Sequence, residues 1–387
     1  MPQTHNTNRA RLRDVLPNLY LGKWKPGPLN SMTDVPGVLV STISAKTDQD
    51  TNAGVTVILP RKDWFQSSCL AGIFRFNGCG EMTGSHWIEE TGLLTSPIVI
   101  TGSTGVGDAY KGILEYACRH HCNDSGDMDL FIFPLVAETY DGYLYDDKRF
   151  AVTPEHVIKG IETASPGPVE EGNTGGGTGM ICHRFKGGTG SSSRVVPGFH
   201  NQRSPKDYTV GVLVQANYGS KENLHIAGVP VGRLMMEQHG LARDDLSSNE
   251  PRKDGSIIVV IATDVPLSAI QLQRVAKRAT VGLAKVGGYG ANSSGDIFLA
   301  FSTAAEVPLE TGAGGNADPM KPLPLSGQWI DDSTINGVFE AAADATEEAI
   351  YNALCMADTM QGYKGRTVQA LDLEMLRKIM KGAMTKL

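Results

Sequence analysis

Lys253-Asp254-Gly255-Ser256-Ile257-Ile258-Val259-Val260-Ile261 is the stretch around which the rest of the chain is read. Ahead of it runs a charged loop containing a proline, Asn249-Glu250-Pro251-Arg252-Lys253-Asp254. Behind Ser256 comes a run of β-branched apolar residues. Pro and Gly mark turns, and an Ile/Val run of this length reads as a buried strand. Ser256 therefore stands at the mouth of a core strand, next to an exposed linker. If the bond before it were cut, Ser256 would carry a hydroxyl and a free amine on adjacent carbons. An α-amino group titrates at about 7.7–8.0, so that amine can take the proton of the hydroxyl beside it. Gly-Ser ahead of a strand is also ordinary turn composition, and other stretches must decide between the two readings.

The chain has 387 residues, 41% of them hydrophobic, enough for a sizeable core. Forty-five Gly and 20 Pro imply many tight turns in a strand-rich protein. A net charge of −7 argues against a nucleic-acid face. No charge-free apolar run approaches the roughly 18 residues of a membrane span. The start, Met1-Pro2-Gln3-Thr4-His5-Asn6, lacks the apolar segment of a secretory signal, so a cytoplasmic protein is expected. The six cysteines, Cys69, Cys79, Cys118, Cys122, Cys182 and Cys355, then read as reduced and mostly buried thiols. Cys118-Arg119-His120-His121-Cys122 is the one metal-like spacing, but it lacks a fourth ligand. A buried helix face with His at its end is the simpler reading, and neither metal nor cofactor is expected.

Taken in order, residues 1–29 form a proline-containing arm. Strands are expected after Pro36-Gly37, over Gly54–Leu59, over Pro97–Thr101 and over the run Leu130–Ala137. That last run suggests a strand buried on both faces. A helix is expected near Asp108–His121. The tract Glu171–Ser193 is rich in Gly and Ser, with no P-loop and no dinucleotide fingerprint. Its glycines suit a backbone that approaches another chain segment or a ligand closely. Tyr208–Ala216, the run from Ser256, and Asp296–Ser302 read as further strands. Leu272, Val275, Ala276, Ala279 and Leu283 share one face of a helix; Phe339, Ala342, Ala343, Thr346 and Ile350 repeat that spacing, as do Leu376, Ile379, Met380 and Ala383. No composition break marks a linker, so one α/β domain with sheets inside and helices outside is expected.

Polar residues recur where apolar runs stop: Glu138 and Tyr140, Asn217, and Asn292-Ser293-Ser294-Gly295-Asp296. Strand ends are where sheet proteins gather sites, although loop solvation explains any single instance. With Ser256 they supply a nucleophile, amide and phenol donors, a hydroxyl–carboxylate pair and a further acid, the inventory of acyl transfer.

On these stretches the chain resembles the P1 family of self-processing aminopeptidases, the DmpA-type L-aminopeptidase/D-amidase/esterase and its β-peptidyl aminopeptidase relatives. The resemblance is carried by Thr33-Asp34-Val35-Pro36-Gly37-Val38, Glu81-Met82-Thr83-Gly84, Glu138-Thr139-Tyr140-Asp141-Gly142, Gly177-Thr178-Gly179-Met180, Phe185-Lys186-Gly187-Gly188, Val214-Gln215-Ala216-Asn217-Tyr218-Gly219, Gly255-Ser256-Ile257-Ile258-Val259 and Ser293–Thr303. It covers roughly residues 30–305. It implies a layered αββα sandwich of the DmpA and ornithine acetyltransferase kind, similar to N-terminal-nucleophile (Ntn) hydrolases. It also implies self-cleavage between Gly255 and Ser256, giving 1–255 and 256–387 within one fold. By the same resemblance Ser256 is the nucleophile, Asn217 the oxyanion-side amide and Tyr140 a nearby phenol. Ser294 and Asp296 contact the nucleophile and its amine, and Glu138 pairs with the substrate ammonium. Some relatives carry Glu where Asp296 stands.

The expected substrate is a small peptide, amino-acid amide or ester with a free N-terminus, and a homo-oligomer of four or more copies is expected. Rival readings are an acyltransferase of the ornithine acetyltransferase type, a scaffold that kept the fold without cutting itself, and a metallohydrolase built on Cys118, His121 and Cys122.

Overall fold

The run from Ser256 is apolar on both faces because both faces are covered. In the computed structural model, which describes residues 9–128, 132–201, 204–238, 255–309, 320–322 and 324–384, it forms a strand over Ser256–Thr263, every residue of which is buried. Alternate side chains go to opposite sides. Ile257, Val259 and Ile261 enter one core, and Ile258, Val260 and Ala262 enter another.

The strands in chain order are β1 (Leu39–Ala45), β2 (Ala53–Leu59), β3 (Ser67–Arg75), β4 (Leu93–Leu94), β5 (Ile98–Gly102), β6 (Leu135–Thr139), β7 (Ile181–Cys182), β8 (Phe185–Lys186), β9 (Gly188–His200), β10 (Ser204–Asn217), β11 (Ser256–Thr263) and β12 (Ile297–Pro308), followed by a short pair, β13 (Met360–Gln361) and β14 (Thr367–Val368). A four-stranded sheet has the order β1-β2-β5-β6 and a six-stranded sheet the order β4-β3-β12-β11-β10-β9. Most pairings are antiparallel, but β5 with β6 and β11 with β12 are parallel.

The helices are α1 (Leu12–Val15), α2 (Ser85–Thr91), α3 (Val106–His120), α4 (Pro154–Thr163), α5 (Val231–Gln238), α6 (Ala269–Ala276), α7 (Ala279–Val286), α8 (Asn336–Met356) and α9 (Leu373–Met384). One core lies between the two sheets, joining Ile58, Ile98 and Ile100 to Leu213, Ile258 and Leu299. A second joins the outer face of the small sheet to α3 and α4 through Val57, Val99, Ile113 and Val157. The third and largest joins the large sheet to α6, α7 and α8. The layers therefore run α, β, β, α, as expected.

Several details differ from the sequence reading. The run Leu130–Ala137 does not form one strand: β6 starts only at Leu135, after Pro134, which has no N–H for a ladder. Leu130 and Phe131 lie outside the described residues. The face from Leu272 to Leu283 belongs to two helices, because the chain breaks at Lys277 and Arg278 between α6 and α7; all five residues are still buried. The Gly/Ser tract includes the first six residues of β9, Gly188 to Ser193, all of them buried, and α8 packs against this strand. A Cβ on Gly190 would stand 2.0 Å from the Ala349 carbonyl oxygen, so close approach is indeed the use of that glycine.

None of the six cysteines forms a disulfide; Cys69, Cys182 and Cys355 are buried, whereas Cys79, Cys118 and Cys122 are exposed. His121 stacks on Phe65 with ring centroids 4.0 Å apart. The arm is docked rather than loose from Arg9 onward. Arg13 binds Glu348 of α8 through two contacts of 2.7 and 2.8 Å, and the fully buried Arg194 reaches the same carboxylate at 2.8 Å. No described helix is long and apolar enough to cross a membrane.

Candidate active site

Strand register decides which side chains meet. β10 and β11 run antiparallel with Asn217 opposite Ser256, so the last residue of one faces the first residue of the other. β12 runs parallel to β11 with Ile258 beside Ile297. The residues just ahead of β12, Ser294 to Asp296, are thereby brought alongside Ser256. In the other sheet β5 and β6 are parallel with Thr101 beside Glu138, which sets Ser103 near the Glu138 side chain. The site is thus built at strand ends, where backbone pairing stops and polar groups are left to serve a ligand.

Ser256 and Asn217 are both buried. The Gly295 N–H donates to Ser256 Oγ at 3.0 Å. Ser294 Oγ contacts both the Gly255 carbonyl oxygen and Asp296 Oδ1, the latter at 2.6 Å. Asp296 Oδ1 also accepts from the Ile257 N–H at 3.1 Å. Burial raises the pKa of the Asp296 carboxyl above the ordinary range, against hydrogen bonds from Ser294 and Ile257 that favour its ion. One hydroxyl hydrogen cannot serve two oxygens. Ser294 therefore donates either to Asp296 or to the Gly255 carbonyl.

The Asn217 amide is fixed from both ends. Its Oδ1 accepts from the Ile181 N–H at 2.8 Å, and its Nδ2 donates to the Tyr140 carbonyl at 2.8 Å. Nδ2 also lies beside Gly255: a Cβ at that position would fall 2.9 Å from it and 1.6 Å from the Asn217 carbonyl oxygen. Only glycine fits there.

Glu138 is buried, accepts from the Glu81 N–H at 3.1 Å and from the Ser103 hydroxyl, and has its pKa raised mainly by desolvation. Gly80 bridges Glu138 to the Ser256 side: a Cβ on it would meet Gly295 Cα at 2.9 Å and Glu138 Oε1 at 3.4 Å. Tyr140 joins the group through its carbonyl, while its phenol donates to Asp147 Oδ2 at 3.2 Å. The next residue, Asp141, is buried, and its carboxyl oxygens have no hydrogen-bond partner among the described residues. Burial pushes its pKa up to about 8.

The structure therefore gathers Ser256, Asn217, Ser294 and Asp296 around the Gly255–Ser256 bond, with Glu138 one glycine contact away. Ser103, the Glu81 and Gly295 amides and the Ile181 amide also belong to this group but were not singled out by the sequence reading. Backbone donors carry no residue signature. Ser103 lies in Thr101-Gly102-Ser103-Thr104-Gly105, where only the register with β6 reveals its use. Cys118 and Cys122 lie elsewhere, at the end of α3. Among the described residues no group of three His, Cys, Asp or Glu side chains could hold a metal ion.

A family model for peptidase family S58 matches residues 30–368. The chain is 42% identical over 371 residues to the β-peptidyl aminopeptidase BapA of Sphingosinicella microcystinivorans, covering 92% of this chain and 89% of that one. Among solved structures it is similar to a Burkholderia sp. β-aminopeptidase, with a TM-score of 0.82, 39% identity and coverage of 96% and 99% of the two chains. It is also similar to the L-aminopeptidase D-Ala-esterase/amidase of Ochrobactrum anthropi, described as a prototype for the serine aminopeptidases and a variant of the Ntn-hydrolase fold. There the TM-score is 0.80, the identity 40% and the coverage 94% and 98%.

Proposed function

The chain belongs to peptidase family S58 and is a hydrolase of the aminopeptidase kind; from that premise we propose that it cuts itself before Ser256 and then works through that residue as an N-terminal nucleophile. One observation carries this reading: the Gly255–Ser256 bond stands at the start of the core strand β11, and the hydroxyl of Ser294 and the amide of Asn217 already flank it.

In the first step Ser256 Oγ attacks the Gly255 carbonyl carbon. A C–O bond forms, the C–N bond breaks and the departing nitrogen takes a proton, leaving an ester. Water then opens the ester to the Gly255 carboxylate and a free Ser256 amine. Developing charge on the carbonyl oxygen is met by the Ser294 hydroxyl and the Asn217 amide. Such preorganised donors are worth about 10²–10³ in rate each. In turnover the Ser256 amine takes the hydroxyl proton, Oγ attacks the substrate carbonyl, and water releases the acyl-enzyme.

Glu138 is the anchor for the ammonium of a substrate with a free N-terminus, since a carboxylate in a dry pocket pairs strongly with a charged amine. Substrates are small peptides, amides or esters, with both β- and α-aminoacyl forms within the chemistry of the similar proteins. Tyr140 acts chiefly through its carbonyl, which orients Asn217. The protein acts as one αββα unit preceded by the arm 1–29. Exposed Tyr20, Phe150, Phe199, Tyr289 and Trp329 support a homo-oligomer, and six cysteines without a disulfide favour the reducing cytoplasm.

Ser256→Ala tests the assignment. The variant should remain one band of 41.4 kDa on a denaturing gel and hydrolyse no aminoacyl p-nitroanilide, whereas the wild type runs as two bands. A variant that still splits defeats the proposal. Free acid formed with water as the only acceptor separates hydrolysis from acyl transfer.

A further inference from the structure

The buried cation on β8 faces no acid among the described residues. Lys186 is completely buried, and its ammonium donates to three main-chain carbonyls: Met180 at 2.8 Å, Gly187 at 2.9 Å and, more weakly, Gly177 at 3.4 Å. Burying an ammonium without a counter-ion is costly, and burial lowers its pKa to about 7. A neutral amine has only two hydrogens and could not serve all three carbonyls.

Those carbonyls flank one turn and hairpin, residues 177–187. Within it Gly187 N–H donates to Met180 O at 3.0 Å, closing β7 against β8. At the hairpin tip His183 and Arg184 both take left-handed backbone angles, φ 49° and 63°, without being glycine. Such angles are unfavourable for residues with a side chain and persist where the surroundings enforce them. Here the His183 N–H donates to the Tyr218 carbonyl at 2.6 Å, and its ring Nδ1 meets the Ser220 carbonyl at 2.9 Å. The hairpin is thus clipped to the chain immediately after Asn217.

Its first residue is Ile181, whose N–H accounts for the orientation of the Asn217 amide. Turned over, that amide would set Nδ2 against the Ile181 N–H and Oδ1 against the Tyr140 carbonyl, and could offer an acceptor where the reaction needs a donor. We propose that Lys186 is a positioning residue for the proposed reaction: by holding the carbonyls of residues 177, 180 and 187 it fixes the Ile181 amide, which keeps Asn217 Nδ2 aimed at the acyl oxygen. The inference rests on the reading of Asn217 as the oxyanion-side amide.

The test is a double-mutant cycle. Lys186→Met and Lys186→Gln are made in the wild type and in Asn217→Ala, with thermal midpoints recorded and rates on an aminoacyl p-nitroanilide expressed per cut chain. Lys186→Met should lower kcat at least tenfold with KM within twofold, and slow self-cleavage to a similar degree. Lys186→Gln, which keeps two donors, should lose less. In the Asn217→Ala background either change should cost under twofold more. If Lys186→Met fails to unfold cooperatively, Lys186→Gln is read instead, with at least a threefold loss of kcat required. Unchanged kcat, or an equal loss in both backgrounds, overturns the inference. An Asn217→Ala enzyme with wild-type kcat overturns the Asn217 assignment and this inference together. A slow Asn217→Ala beside fully active Lys186 variants overturns this one alone.

Discussion

Replacing Gly255 with alanine inserts a methyl group where the structure has no room. The added Cβ would stand 1.6 Å from the Asn217 carbonyl oxygen, whereas real Cβ atoms essentially never approach within 3.0 Å. The neighbour is backbone of β10, so no side-chain rotation relieves the clash. Something must move by at least about 1.4 Å, the difference of those two distances. The mobile party is the Gly255 peptide, which precedes the ladder, rather than Asn217, which is held at both ends of its amide. A displacement of about 1 Å between reacting groups costs on the order of 10² in rate. Gly255→Ala should therefore slow conversion of the 41.4 kDa chain at least about 100-fold. A time course of intact mass after synthesis measures this, and aminopeptidase activity should rise in step with the cut fraction. Cutting at the wild-type rate would refute the steric argument and, with it, the claim that the scissile peptide is held by the end of β10.

Two further outcomes follow from the carboxyl groups. If Glu138 pairs with the substrate ammonium as proposed, Glu138→Gln removes that charge and should raise KM by roughly 10- to 100-fold, a charged hydrogen bond being worth about 1.5–3 kcal/mol. Steady-state kinetics on an aminoacyl amide give the split between KM and kcat. Because burial raises the Glu138 pKa, the wild-type KM should begin to climb on acidification at a higher pH than an ordinary glutamate would produce, and the Gln variant should lack that limb. Asp141 keeps its proton in the folded state up to about pH 8, while the unfolded chain releases it near 3.8. Its contribution to stability is complete below that lower value and is lost as pH rises through this window, by at most about 1.4 kcal/mol per pH unit. Asp141→Asn does not titrate, so its melting temperature should fall less steeply between pH 5 and 8; parallel curves for the two proteins would show that Asp141 is ionised.

Much of this was legible in the sequence because apolar runs stop at identifiable residues. Ser256 opens one run and Asn217 ends another, and their meeting needs only an antiparallel pairing of the two strands. The resemblance supplied roles for Ser294, Asp296 and Glu138, already marked as polar residues at strand ends, while the parallel partners of β11 and β6 explain why those side chains stand where they do. Propensity gave no strand at β9: Gly188 to Ser193 read only as a Gly/Ser-rich backbone of close approach, yet packing under α8 makes them strand. Periodicity failed at α6 and α7, since a break at Lys277 leaves the buried face in phase. The Cys118 and Cys122 thiols read as buried, but Cys118, near the end of α3, and Cys122, just beyond it, are both exposed. The amides of Ile181 and Gly295 were invisible for a simpler reason: every residue but proline has one, and only folding decides which are aimed at a ligand.

In the six-stranded sheet the two middle strands, β12 and β11, come from the C-terminal side of Gly255, and the strands on either flank come from the N-terminal side. The proposed scission would leave the four-stranded sheet whole in the N-terminal product but divide the six-stranded sheet between the two, so the halves would be interleaved rather than merely docked. The uncut chain can unfold and refold as a single molecule, whereas the pair that the proposed cut would give would, once melted, have to find each other by diffusion. The cut would therefore turn a concentration-independent folding equilibrium into a second-order one, so that the uncut chain folds more readily than its two pieces reassemble.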